Sequence, residues 1–241
     1  MKDQFRVLGV VPARGGSKGI PGKNAKQLGG KPLIAHVIES ALRAKKLSKV
    51  VLSTDSEELA DIGRRFGAQV PFMRPKNIAG DNASLLDTVR HALQYHRENG
   101  ELFDAAISLQ PTCPFTKAST IDAAIDLLCQ SGCETVTAVT ELSKGHPYIT
   151  KRVGSESRLS NFVDIPAGLD ISTRQNRETA YTMTGAMYLR RIDVVEDPNL
   201  KGHGLGSDSR GIIVSELEAL DINTHMDFHY AEFLFEHHEV E

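Results

Sequence analysis

Apolar and polar positions follow two alternating rhythms along the first 140 residues of this 241-residue chain. Short apolar runs at Phe5 to Val11, Lys49 to Leu52, Asp104 to Leu109 and Thr135 to Val139 predict buried strands. Gln69 to Phe72 reads as a further short strand. Between the runs lie stretches of helical period. From Pro32 to about Lys45, Leu33, Val37, Ile38 and Leu42 fall on one face. Ser53-Thr54-Asp55-Ser56 caps a helix over Glu57 to Phe66. Ser84 opens another helix, reaching about Asn99, with Asp87 as its capping-box partner. A fourth helix covers about Ser119 to Cys129. Such alternation predicts an α/β fold with a mainly parallel sheet.

The rhythm changes at about 140–180. Charges, glycines and the short alternating runs Tyr148 to Val153 and Arg158 to Val163 suggest a hairpin or arm. Strands return at Tyr181 to Leu189 and Ile212 to Val214, and a last helix begins after Thr224. Residues 1–241 therefore read as one domain with an arm or insertion at about 140–180.

Composition narrows the function classes. Hydrophobic residues at 40% and charged residues at 24% are ordinary for a globular protein. The 28 basic and 31 acidic residues leave a net charge of −3, which argues against nucleic acid or a membrane surface as partner. No apolar run approaches a bilayer's thickness, and Met1-Lys2-Asp3-Gln4 leads straight into the first strand. Neither a transmembrane helix nor a signal peptide is expected. Of the three cysteines, Cys129 and Cys133 stand four apart without further ligands nearby. Reduced thiols in the cytoplasm are expected rather than zinc.

The strongest chemical signal follows the first strand, which delivers the chain into Arg14-Gly15-Gly16-Ser17-Lys18-Gly19. In an α/β sheet, ligands bind beyond the carboxyl ends of strands. Glycines there let successive backbone N–H groups converge on an anion. From Gln4 to Val37 the chain has no Asp or Glu, while Arg6, Arg14, Lys18, Lys23, Lys26 and Lys31 are all basic. A solvated face normally mixes signs, so this stretch points to a phosphate site; a mobile surface loop is the bland alternative. The loop lacks the leading Gly and trailing Ser/Thr of an ATPase P-loop, and the spaced glycines of a dinucleotide fold.

Val11-Pro12-Ala13-Arg14-Gly15-Gly16-Ser17-Lys18-Gly19-Ile20-Pro21-Gly22-Lys23-Asn24 resembles the signature of the acylneuraminate cytidylyltransferases, or CMP-sialic acid synthetases. The likeness extends over most of the chain. It includes Leu52-Ser53-Thr54-Asp55-Ser56, Leu109-Gln110-Pro111-Thr112-Cys113-Pro114-Phe115, Arg174-Gln175, Thr184-Gly185-Ala186-Met187-Tyr188 and Asp221-Ile222-Asn223-Thr224. The resemblance implies a three-layer, Rossmann-like nucleotidyltransferase fold with a mixed sheet and a small dimerisation arm. It implies a Mg²⁺-dependent transfer of CMP from CTP to an acidic keto sugar, with release of pyrophosphate, in a homodimer.

Residue by residue, the resemblance puts nucleotide contacts at Ala13, Arg14, Gly15, Gly16, Ser17, Lys23, Asn24, Arg74 and Ser84, with Arg14, Lys23 and Asp221 catalytic. Arg14 can fork onto phosphate oxygens, and Lys23 can meet the leaving pyrophosphate as a point charge. Arg74 also reads as an ordinary loop residue, and Ser84 as a helix cap. Gln110, Arg174, Gln175, Thr184 and Tyr188 are the acceptor candidates. Gln110 also reads as bonded to its own loop, Arg174 as a surface residue and Tyr188 as core. Asp221 and Asn223 are the candidate Mg²⁺ ligands, since alternation along an extended segment places both on one face. Asn223 stands where the family commonly has Asp, and Thr184 where it usually has Asn. Asn223 removes a negative charge from the metal motif, while Thr184, together with Ile149 where relatives often carry Lys, suggests an acceptor other than N-acetylneuraminate. Another acidic acceptor such as a phosphonate, another nucleotide base, or a weakly catalytic binding protein are the competing readings.

Overall fold

The computed structural model describes residues 5–16, 19–80, 83–200 and 203–237. Six strands form the central sheet: β1 (Val7–Pro12), β4 (Lys49–Ser53), β5 (Ala105–Leu109), β6 (Thr135–Glu141), β9 (Tyr181–Arg191) and β10 (Ser209–Ile213). Their order is β10-β6-β9-β5-β1-β4. Every neighbouring pair is parallel except those made by β9, which runs antiparallel between β5 and β6. The mainly parallel mixed sheet is thus as the sequence predicts.

Burial on both faces explains why the strand sequences are apolar almost throughout. Val7 and Val11 of β1 join one layer, with Ile34, Val37 and Ile38 of α1 (Leu33–Arg43), Leu59 of α2 (Glu57–Arg65) and Ile121 and Ile125 of α4 (Ala118–Ser131). Leu8 and Val10, facing the other way, join Leu86, Val89 and Leu93 of α3 (Leu85–Glu98) and Val195 of α5 (Ile192–Glu196). A third cluster packs α6 (His225–His237) through Phe228, Ala231 and Leu234 onto Ile20, Leu28 and Ile222.

Two caps form as read: Ser56 accepts from the Leu59 amide and Ser84 from the Asp87 amide. Other details differ. Leu42 is exposed, and the buried face of α1 runs through Leu33, Ile34, Val37, Ile38 and Ala41. Gln69 makes only an isolated bridge to Val51, not a strand. The pair β2 (Gln27–Leu28) and β3 (Lys31–Pro32), and helix α5, were not anticipated. Within 140–180 the hairpin is β7 (Lys151–Val153) with β8 (Leu159–Asn161), all six residues exposed.

Chain order reverses between β1 and β5, since β4 lies on one side of β1 and β5 on the other. The crevice beyond that switch point is where ligands settle in open α/β sheets. It receives the loop after β1, the loop after β5 and the segment before α6.

Candidate active site

A cavity of about 700 Å³ opens there, lined by Ser84, Gln110, Thr112, Gly185, Tyr188, Asp221 and Asn223 among others. Two glycines bring its walls together. A Cβ on Gly19 would run into the Asn223 carbonyl, so only glycine lets the basic loop press against the 221–223 segment. Gly185 holds φ +80° inside β9, where the register with β6 shifts between Thr137 and Val139. This bulge carries Gly185 past Asp221, whose Oδ2 is 3.9 Å from where a Cβ would stand.

The basic loop is fastened from within. Ala13 is buried and its amide donates to Ser53 O at 3.0 Å. Asn24 Nδ2 donates to Arg14 O at 3.3 Å, and Asn24 Oδ1 is buried without a hydrogen-bond partner. Lys23 is buried, with Nζ donating to Ile222 O at 2.5 Å. Burial pushes the Lys23 ammonium below its ordinary value, and the negative charge of Asp221 partly restores it. Lys23 therefore ties the basic loop directly to the segment that carries Asp221. Gly15 and Gly16 are exposed, as a nest for an anion requires. The Gly15 amide now donates to Asp55 Oδ1 at 2.9 Å, so an acidic residue from the loop after β4 enters this otherwise basic stretch. Ser17 lies outside the described residues.

Asp221 divides its two oxygens. Oδ2 accepts from Asn223 Nδ2 at 2.8 Å, while Oδ1 is buried without a partner. A buried unpaired carboxylate oxygen is costly unless something binds it. The next carboxylate along, Asp227, accepts from the amides of Asn223 and Thr224 and from the Thr224 hydroxyl. It helps to cap α6 through that oxygen and does not line the cavity. Thr224 and Asp227 thus form a reciprocal capping pair at the start of α6.

Arg74 is buried at the edge of this arrangement, its Nη2 donating to Ser53 O at 2.5 Å and its Nη1 to Thr88 Oγ1 at 3.5 Å. Burial lowers its pKa from the ordinary arginine value. Nε has no partner. Ser84 caps α3, as its cap reading expects, and it also lines the cavity. Cys113 is buried, and desolvation pushes its thiol well above the ordinary range, which suits a packing residue rather than a nucleophile.

Among the acceptor candidates, Gln110 and Tyr188 line the cavity. Thr184 does not. Its hydroxyl donates to Ala138 O at 3.4 Å and accepts from the Ala186 amide at 3.2 Å, holding the β9 bulge. Arg174 and Gln175 sit on a surface turn at the root of the arm, where Arg174 pairs with Glu141 at 3.3 Å, away from the cavity of their own chain. Arg90, Arg190, Leu200 and His203 line the cavity without having been anticipated. Arg190 had a legible signal, a charged residue closing the apolar run Ala186 to Leu189. His203, in a loop, had none.

Residues 8–160 match the cytidylyltransferase family. The chain belongs to that family. As a family member it is a nucleotidyltransferase, and the basic loop and Asp221 lie at the end of the sheet where open α/β folds bind ligands. It is 32% identical over 234 residues to the CMP-N,N'-diacetyllegionaminic acid synthase of Legionella pneumophila, covering 96% of this chain and 97% of the relative. It is 30% identical over 233 residues to a pseudaminic acid cytidylyltransferase of Campylobacter jejuni, covering 96% and 97%. The fold also matches the structure of CMP:2-keto-3-deoxy-manno-octonic acid synthetase complexed with CTP. The TM-score is 0.71 at 19% identity, over 96% of this chain and 98% of that one.

Proposed function

We propose that this cytidylyltransferase transfers CMP from CTP to a nonulosonate sugar acid and releases pyrophosphate, with Mg²⁺ as cofactor. The observation that carries the reading is the junction of Lys23 with Ile222, which joins a phosphate-type loop to a half-unsatisfied Asp221 beside one cavity. The names of the Legionella and Campylobacter relatives support an acylated nine-carbon acid as acceptor. Acids of the legionaminic and pseudaminic type, which those names print, are the first acceptors to test, with N-acetylneuraminate beside them.

In this reaction the acceptor's anomeric hydroxyl oxygen bonds to the α-phosphorus. The bond from that phosphorus to the β-phosphate's bridging oxygen breaks, pyrophosphate leaves with the electron pair, and the hydroxyl proton is released. Such transfers depend mostly on positioning and charge neutralisation. Arg14 and the Gly15–Gly16 backbone grip the triphosphate, and Lys23 meets the leaving pyrophosphate. Asn24 orients the nucleotide through its unpartnered Oδ1. Gln110 and Tyr188 meet the acceptor. Mg²⁺ fits the donor set, because it takes one or two carboxylate oxygens and fills the rest of its shell with phosphate and water. Asp221 Oδ1 would hold it, with the Asn223 amide oxygen as a second donor, and the ion would neutralise phosphate charge.

Pyrophosphate release, measured with each nucleoside triphosphate against a panel of sugar acids, tests the reading. Release with CTP and a nonulosonate, and with neither alone, is the expected result. A chain that binds CTP yet turns over none of the sugar acids would sink it. The exposed apolar hairpin supports a homodimer, and three free cysteines agree with a reducing cytoplasmic setting.

A further inference from the structure

Arg190 is the most deeply buried charged residue among the described residues, at 1% exposure, and it lines the cavity. The sheet makes room for it with small neighbours. Ala106 of β5 and Thr135 of β6 stand opposite Arg190, and Ser108 and Thr137 stand opposite Tyr188, two residues earlier on the same face. The guanidinium carbon lies 4.9 Å from the Tyr188 ring centroid.

Among the described residues no carboxylate lies within ion-pair distance of Arg190. The fork of donors goes to carbonyls instead. Nε donates to Gly204 O at 2.6 Å, Nη2 to His203 O at 2.7 Å and Nη1 to Tyr188 O at 3.4 Å. A planar fork on two successive carbonyls of one loop is a clamp, which lysine's single ammonium cannot reproduce. A second tie lies two residues on, where the Gly206 amide donates to Thr135 Oγ1 at 3.2 Å. The clamped loop stacks the His203 ring on Tyr188, with centroids 6.1 Å apart and planes 10° from parallel. His203 Nδ1 is 3.4 Å from the Tyr188 hydroxyl.

We propose that Arg190 is a positioning residue for the acceptor. By holding the His203 and Gly204 carbonyls it sets the His203–Tyr188 pair as an aromatic wall against which the sugar acid packs. Its charge, answered only by carbonyl dipoles, draws a carboxylate-bearing acceptor into the cavity. An isolated buried charge is expensive, and a site that receives an anion gives it a use. The proposal rests on the reading of the chain as a sugar-acid cytidylyltransferase.

Three variants test it: Arg190→Met, Arg190→Lys and His203→Ala. Arg190→Met is expected to raise the acceptor KM about tenfold while the KM for CTP stays within about twofold, the pattern of lost acceptor binding alone. Arg190→Lys keeps the charge without the fork and falls between Arg190→Met and the native chain. Because Arg190 acts through His203, the double variant Arg190→Met with His203→Ala loses less than the two single effects combined. Equal rises in both KM values, or full additivity, overturns the proposal. Should Arg190→Met fail to fold, the Arg190→Lys and His203→Ala measurements decide it by the same KM split. Hydrogen exchange across residues 203–206 needs no substrate and is expected to quicken in Arg190→Lys. Unchanged exchange there overturns the clamp. A native chain that turns over no sugar acid counts against the proposed function, and the exchange result still decides the clamp.

Discussion

At the scale of single residues, Asp221 and Asn223 decide how the site handles charge. Asn223 donates to one oxygen of Asp221 and leaves the other buried and unpaired. The amide thereby orients the carboxylate without adding a second negative charge beside it. An aspartate at 223 would lose the hydrogen bond and place two like charges side by side, a strain that a divalent cation relieves. The variant Asn223→Asp is therefore expected to need less Mg²⁺ for half-maximal pyrophosphate release. The shift should be roughly 3- to 10-fold, equivalent to about 1 kcal/mol of cation binding. It should also melt at a lower temperature than the native chain without cation, and recover when Mg²⁺ is added. A Mg²⁺ requirement equal to that of the native chain in both titration and melting would remove Asn223 from any part in holding the ion.

At the scale of elements, helix α1 carries its own pH dependence. His36 is buried, bonded through Nε2 to Leu28 O at 2.9 Å, and packed on Phe235 of α6 with centroids 4.5 Å apart. Burial holds its pKa down at about 4, from an ordinary 6.5; Lys31 lowers it further, while the Leu28 carbonyl and Glu39 oppose the fall. The folded state thus resists a proton that the unfolded chain accepts. Stability from this group is complete above about pH 6.5 and is lost as pH falls towards 4, by up to roughly 3 kcal/mol. Denaturant unfolding at pH 7 and pH 4.5 checks it: His36→Gln should lose distinctly less stability across that interval than the native chain. Equal losses would place the acid sensitivity elsewhere. None of this was legible in the sequence, where His36 is one more residue on an amphipathic helix. The sheet was legible because β1 and β5 are buried on both faces and so are apolar almost throughout. Helix ends were legible where Ser56 and Ser84 cap them. Leu42 was misassigned because helical period marks an apolar stripe but not which edge of it the sheet covers. The basic loop after β1 could be placed at the end of the sheet because a buried strand leads straight into it. The wall of Arg190 and His203 could not, because it joins a strand to a loop through contacts across the cavity.

At the scale of the whole molecule, the arm presents apolar surface that this chain does not cover. Val153 is 71% exposed, Leu159 68% and Phe162 51%, on a two-stranded hairpin with three residues in each strand. A ribbon that short is marginal by itself in water, and its apolar side chains mark a contact surface. Its root is built to stay in place. His146 bonds Glu178 O at 3.0 Å, the Tyr148 hydroxyl donates to Glu178 Oε1 at 2.8 Å, and Arg177 Nε donates to Ile171 O at 2.9 Å. Arg174 and Gln175 lie at that root and miss the cavity of their own chain, so an acceptor role for them requires the cavity of a second copy. These facts combine into one expectation. Leu159→Glu with Phe162→Glu should convert a dimer to a monomer in sedimentation velocity, since each buried charge at an apolar contact costs several kcal/mol. The monomer should keep its affinity for CTP, whose proposed contacts all lie within one chain, and lose most of its turnover of the sugar acid. Arg174→Ala should leave the dimer intact and raise only the acceptor KM. A native chain that sediments as a monomer while turning over its acceptor would sink both, and would leave Gln110, Tyr188 and the wall that Arg190 holds as the whole of the acceptor site.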